Sequence, residues 1–110
     1  MWPAYLKERT GKEVLNHLNG FAIYSFPEPG ICYLEDIYVV PEYRRSKVGS
    51  AIANQVEVIA KERNCEMLWG SVDVKAKGAT ESLKAVLSFD MKVFAIEGNM
   101  ILFTKSLKGE

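Results

Sequence analysis

Ile37-Tyr-Val-Val-Pro-Glu-Tyr-Arg-Arg-Ser-Lys-Val-Gly-Ser50 is the stretch from which the rest of the chain can be read. It begins as a β-branched strand, breaks at Pro41, passes through the basic segment Arg44, Arg45, Ser46 and Lys47, and enters an amphipathic helix. The first turn of a helix holds backbone N–H groups without intrahelical partners, and the macrodipole adds positive potential there. Cations beside such a start oppose the dipole unless an anion lies between them. The combination predicts a pyrophosphate grip, with a solvated charge cluster as the competing reading.

Working outward, Val48, Ala51, Ile52, Val56, Ile59 and Ala60 recur at helical spacing, which predicts one long helix over 46–63. Asn64 is suited to end it in the left-handed conformation. On the N-terminal side, a short helix from Pro3 to Thr10 ends near Gly11. Strands over 12–18 and 21–26 flank the hairpin signal Asn19-Gly20. Pro27 to Gly30 reads as a turn, and Ile31 to Val40 as a third strand. On the C-terminal side come a strand over 66–72, a helix over 79–88, and strands over 91–96 and 100–105 around Gly98-Asn99.

The order α-β-β-β-α-β-α-β-β implies one α+β domain over residues 1–110. Its sheet is mixed, mostly antiparallel and flanked by helices. The strands before and after the long helix form the one parallel pair, joined by a right-handed crossover.

The 110 residues suffice to bury roughly 60–70% of the extended surface. Lys+Arg and Asp+Glu both number 14, so there is no long-range field to draw in nucleic acid or an anionic membrane, and an anion site must be local. Cys32 and Cys65 lack metal-ligand spacing and read as reduced, buried thiols of a cytoplasmic protein. No apolar run approaches the ~20 residues of a membrane span, and the start lacks signal-peptide features.

The segment Leu34-Glu-Asp-Ile-Tyr-Val-Val-Pro-Glu-Tyr-Arg-Arg-Ser-Lys-Val-Gly-Ser-Ala-Ile52 resembles the acyl-CoA-binding segment of the GNAT N-acetyltransferase superfamily. The resemblance continues more weakly to Lys105. It implies that acetyl-CoA, CoA or another acyl-CoA is bound. The family's loop pattern is Arg/Gln-x-x-Gly-x-Gly/Ala; Arg44 takes its leading position, Gly49 its final glycine, and Lys47 stands for its first glycine. Because lysine adopts positive φ at a cost glycine avoids, Lys47 is expected to keep φ negative. The pyrophosphate is expected at Arg44, Arg45, Ser46, Lys47, Val48, Gly49 and Ser50. In the family a bulge splays the preceding strand from its parallel neighbour, which frees backbone groups for the pantetheine arm; here these belong to Ile37, Tyr38 and Val39. Family members are usually longer. The first strand and helix, which wall the acceptor site there, have no counterpart here, so the wall is expected from another subunit, as in a homodimer, or the site is shallow.

The resemblance implies transfer of acetyl to a small-molecule or peptide amine by direct attack. Glu35 and Asp36 stand where the family often keeps a base, with side chains on opposite faces if the strand is regular. The family's acid tyrosine aligns with Val86, and its Gly-Phe with Asp90-Met91, so the proton donor must be water or Tyr38, or the thiolate leaves unaided. The candidate catalytic residues are therefore Glu35, Asp36 and Tyr38, with no metal site. A degenerate CoA-binding sensor or assembly module is the alternative that Lys47 and Val86 favour. A nucleic-acid-binding domain is disfavoured by the balanced charge. His17, near the hairpin turn, reads as solvated, and Trp69, Phe21, Tyr24, Phe26, Phe89 and Phe94 read as packing residues.

Overall fold

A computed structural model of the chain describes residues 7, 10–44 and 47–108. β1 (Glu13–His17), β2 (Gly20–Glu28) and β3 (Ile31–Val39) lead through a short 3-10 turn (Pro41–Tyr43) to α1 (Val48–Glu62). β4 (Met67–Asp73), α2 (Ala79–Ser88), β5 (Lys92–Glu97) and β6 (Met100–Ser106) follow. The sheet runs β1-β2-β3-β4-β6-β5. β3 and β4 are parallel, and the other neighbours are antiparallel. The helix expected over 3–10 lies largely outside the described residues. Gly11, at φ +76°, donates its N–H to the Lys7 carbonyl at 2.8 Å, the geometry of a helix C-terminus.

Both helices cover one face of the sheet. Ile52, Val56 and Ala60 of α1 form one cluster with Ala22, Tyr24, Cys32, Leu68 and Phe103. The buried stripe of α1 is Ile52, Ala53, Val56 and Ala60; Ala51, expected inside, is exposed and Ala53 takes its place. Asn64 ends α1 at φ +61°, as the sequence predicts. Alternate strand residues, among them Ile23, Ser25, Tyr33, Trp69 and Ser71, take the far face by the two-residue strand period.

Glu57 ties α1 to the sheet through Lys105 at 2.7 Å and to Lys61 at 3.0 Å. Burial pushes its carboxyl up, but the hydrogen bonds and charges of those two lysines outweigh burial and hold it below the usual carboxylate range. The Lys105 ammonium also lies 4.0 Å from the centre of the Phe89 ring, so β6 reaches both helices.

Two local details differ from the sequence reading. The β1–β2 loop is Leu18-Asn19, one residue earlier than expected, and neither these residues nor Gly20 have positive φ. Gly20 is demanded by the sheet instead: a Cβ there would run into the Tyr38 carbonyl oxygen of the adjoining strand. The loop is tied back by His17 Nδ1, which accepts the Asn19 N–H at 3.0 Å, and by the Asn19 carbonyl, which accepts the Val40 N–H at 2.9 Å. Secondly, Pro27 and Glu28 remain in β2, where the ladder slips between Ser25 and Glu28 and a missing N–H matters little; Gly30, at φ +84°, makes the turn.

Candidate functional site

β3 and β4 part company halfway along. Their parallel ladder joins Ile31–Leu34 to Met67–Gly70 and stops there, although β3 continues to Val39 and β4 to Asp73. The cause lies on the other side of β3. Ile23 faces Asp36 and Tyr24 faces Leu34, so Glu35 is an extra residue, a β-bulge. A bulge bends its strand and increases the local twist, which turns the second half of β3 away from β4. The result is a V-shaped opening flanked by Ile37, Tyr38 and Val39. Their side chains alternate, Ile37 and Val39 toward α1 and Tyr38 toward the far face, where its ring lies 5.4 Å from Phe21.

The bulge overturns one expectation. Asp36 faces Ile23 and Glu35 hydrogen-bonds Ser25, so both carboxylates lie on the far face rather than on opposite ones. Glu35 is half-buried; its Oε2 accepts the Ser25 hydroxyl at 2.9 Å and its Oε1 meets Lys12 Nζ at 2.7 Å. The hydrogen bond and then the charge of Glu35 push the Lys12 ammonium up from its ordinary value. Asp36 is exposed.

From the end of β3 the chain turns toward α1. Arg44 is extended, at φ −70° and ψ 144°; its Nε donates to the Val39 carbonyl at 2.9 Å and its guanidinium lies 5.6 Å from the centre of the Tyr38 ring. That bond anchors the cation at the strand end, beside the helix start. Arg45 and Ser46, both expected at the pyrophosphate, lie outside the described residues. Lys47 contradicts its expectation: it sits in the left-handed region at φ 69°, ψ 12°. As the N-cap, its carbonyl accepts the Ala51 N–H at 3.0 Å, and the turn into α1 imposes the conformation whatever the side chain. A non-glycine residue there is strained by about 1–2 kcal/mol. Lys47→Gly is expected to raise stability by about 0.5–1 kcal/mol, part of that relief being lost to glycine's greater unfolded entropy, whereas Lys47→Ala gains nothing. Thermal unfolding of the two variants checks this.

Val48, Gly49 and Ser50 form the first turn of α1, where N–H groups have no carbonyl of their own helix to reach. No acidic residue lies in that turn. A Cβ added at Gly49 would lie 3.8 Å from Val39 Cγ2, its one contact within 4 Å among the described residues. Among the described residues, the seam between strand end and helix start therefore leaves room for a ligand to approach the backbone.

Two hydroxyls that the sequence reading missed close the base of the V. Tyr33 of β3 and Ser71 of β4 hydrogen-bond at 2.6 Å across the parallel strands on the far face. The available signal was weak: Tyr33 lies two residues before Glu35, and only the register with β4 brings Ser71 beside it. At the other helix, Asp90 takes positive φ (67°) where the family pattern has glycine, and Met91 is buried over Gly70. The helix ends at Ser88, and Val86, the residue aligned with the family's tyrosine, is half-buried against the core. Cys32 and Cys65 are free and buried; burial pushes the Cys32 thiol up to about 12 and also raises that of Cys65, so neither is a ready nucleophile. Among the described residues no cluster suited to a metal ion occurs.

A mixed sheet splayed beside the start of a helix defines the class, and comparison with known proteins agrees. The acetyltransferase (GNAT) family model matches residues 4–87, so the chain belongs to that family. It is 41% identical over 59 residues to thialysine N-epsilon-acetyltransferase of Bos taurus, a match spanning 54% of this chain and 35% of that protein. It is 46% identical over 35 residues to aminoglycoside N(6')-acetyltransferase type 1 of Acinetobacter baumannii, spanning 32% and 24%. The chain thus spans about a third or less of these curated relatives. A GNAT family acetyltransferase from Elizabethkingia anophelis, solved with acetyl-CoA bound, shares the fold with a TM-score of 0.74 at 15% identity, over 94% of this chain and 81% of that one.

Proposed function

We propose that residues 1–110 act as one acyl-CoA-binding domain, an N-acetyltransferase that moves acetyl from acetyl-CoA to a primary amine of a small molecule or peptide. The observation that carries this reading is the V between β3 and β4 ending at the first turn of α1. The same ligand is bound in the structural relative from E. anophelis. Backbone groups of Ile37, Tyr38 and Val39 would hold the pantetheine arm as an added strand would. Arg44, Arg45, Ser46, Lys47, Val48, Gly49 and Ser50 would hold the pyrophosphate.

When bound, the coenzyme supplies a thioester whose carbonyl carbon the amine nitrogen attacks as the C–S bond breaks. An acceptor ammonium has an unperturbed pKa of about 10, so a base must take its proton. We assign that role to Glu35, directly or through water; its contact with Lys12 supports a seat that suits an ammonium. Asp36, exposed on the same face, draws in cationic acceptors. Tyr38 is the candidate donor to the departing thiolate, since Val86 offers no proton. The proposal includes a cytoplasmic setting, consistent with free buried thiols, and a homodimer that completes the acceptor cleft.

A second reading, a CoA-binding sensor or assembly module without turnover, is favoured by Val86 and its apolar surroundings. Calorimetry with acetyl-CoA and CoA, followed by turnover on a panel of polyamines and peptides, separates the two. Binding with turnover is expected; binding without turnover selects the module, and no binding removes both. Val86→Tyr is expected to raise acetyl transfer, by up to the roughly hundredfold lower end of general-acid effects. A flat response means that the leaving group needs no donor there.

A further inference from the structure

β5 is the outermost strand, paired with β6 on one side and with no strand on the other among the described residues. Exposed edges in monomers are usually short, charged or covered, because their free N–H and C=O groups template pairing with another chain. β5 is instead apolar between charged ends: Lys92-Val-Phe-Ala-Ile-Glu97, with Val93 56%, Phe94 66% and Ile96 68% exposed.

Its facing pattern is unusual. Val93 pairs with Phe103 and Ile96 with Ile101, which places both on the helix-covered face. Lys92 pairs with Thr104, Ala95 with Leu102 and Glu97 with Met100, all on the far face. Phe94 is the extra residue of a bulge, and its ring lies 6.4 Å from that of Trp69, also on the far face. From Lys92 to Glu97 the faces therefore run far, helix, far, far, helix, far, the same in both directions. A regular six-residue strand lacks this symmetry. Turned end to end against its own copy over the same six residues, it would set every side chain against one on the opposite face. The bulge removes that mismatch.

We propose that β5 is a self-recognition edge through which two copies of this chain pair antiparallel about a two-fold axis and join their sheets. In that arrangement Lys92 meets Glu97 of the partner subunit, an opposite-charge pair that occurs twice. Val93 meets Ile96 of the partner subunit, apolar against apolar, and Phe94 meets Ala95 of the partner subunit, large against small. Each contact is between side chains on one face, the unit by which neighbouring strands stabilise each other. The edge gives this chain a dimer surface whether or not the partner reaches the acceptor cleft of the preceding reading. It is read out in mass rather than turnover, so either can fail while the other stands.

Sedimentation velocity across the micromolar range tests it. The native chain is expected to sediment at about twice the 12.4 kDa of one chain. Lys92→Glu and Glu97→Lys should each weaken the dimer roughly tenfold, because two cross-strand contacts change from attraction to repulsion at once. The double variant Lys92→Glu/Glu97→Lys should restore it. These side chains are exposed, so circular dichroism should stay native throughout. A monomeric native protein, a dimer indifferent to the single reversals, or a double variant no better than the singles overturns the proposal.

Discussion

Gly49→Leu is expected to lower affinity for acetyl-CoA at least tenfold, about 1.4 kcal/mol or more, while leaving the fold intact. The Cβ at position 49 has ordinary contact distance to Val39 Cγ2, so the described residues around it leave room for it. Glycine is also a poor helix residue, and Leu should hold or raise stability by up to about 1 kcal/mol. The loss falls on the ligand, because the added side chain fills the seam through which a pyrophosphate would reach the N–H groups of Val48, Gly49 and Ser50. Stability and binding thus move in opposite directions. Calorimetric titration and thermal unfolding of the same variant read both, and unchanged affinity would take the first turn of α1 out of the site.

Phe103→Ala should remove about 3–5 kcal/mol of folding stability. Phe103 is 1% exposed, lies on β6 opposite Gly70, and belongs to the cluster that holds α1 on the sheet. Gly70 has no side chain to relax into the void, so the cavity should persist. Domains of this size have about 5–15 kcal/mol in total, so the midpoint in urea should fall by about a fifth or more. A loss near 1 kcal/mol would mean that the core collapses around the gap.

Much of the architecture could be read from periodicity. α1 is announced by its apolar spacing, α2 matches its expected span of 79–88, and the antiparallel hairpins and single parallel pair follow from element order. Asn64 ends α1 as predicted because a left-handed cap is a local matter. Lys47 shows where such local rules yield: intrinsic preference argued for negative φ, and the path from β3 into α1 required the opposite. Gly20 is similar, since turn statistics claimed it for the hairpin while its necessity comes from the Tyr38 carbonyl, which belongs to another strand.

The candidate site divides in the same way. The basic loop and the helix start are contiguous in the chain, and the family pattern locates them by residue type alone. The bulge at Glu35 is invisible in one strand, because it is defined by counting residues against β2. Once present, it sends Glu35 and Asp36 to one face, opens the V beside Ile37–Val39, and leaves Tyr33 and Ser71 hydroxyl to hydroxyl at its base. The palindromic edge of β5 depends on a second bulge, at Phe94.

By itself the sequence determined the elements, their order, the loop suited to an anion and the family it resembles, because propensity, periodicity and caps act over a few neighbouring residues. Register, bulges, the divergence of β3 from β4 and the left-handed Lys47 were decided only by tertiary structure, because each is a relation between strands distant in the chain or a path imposed by their packing.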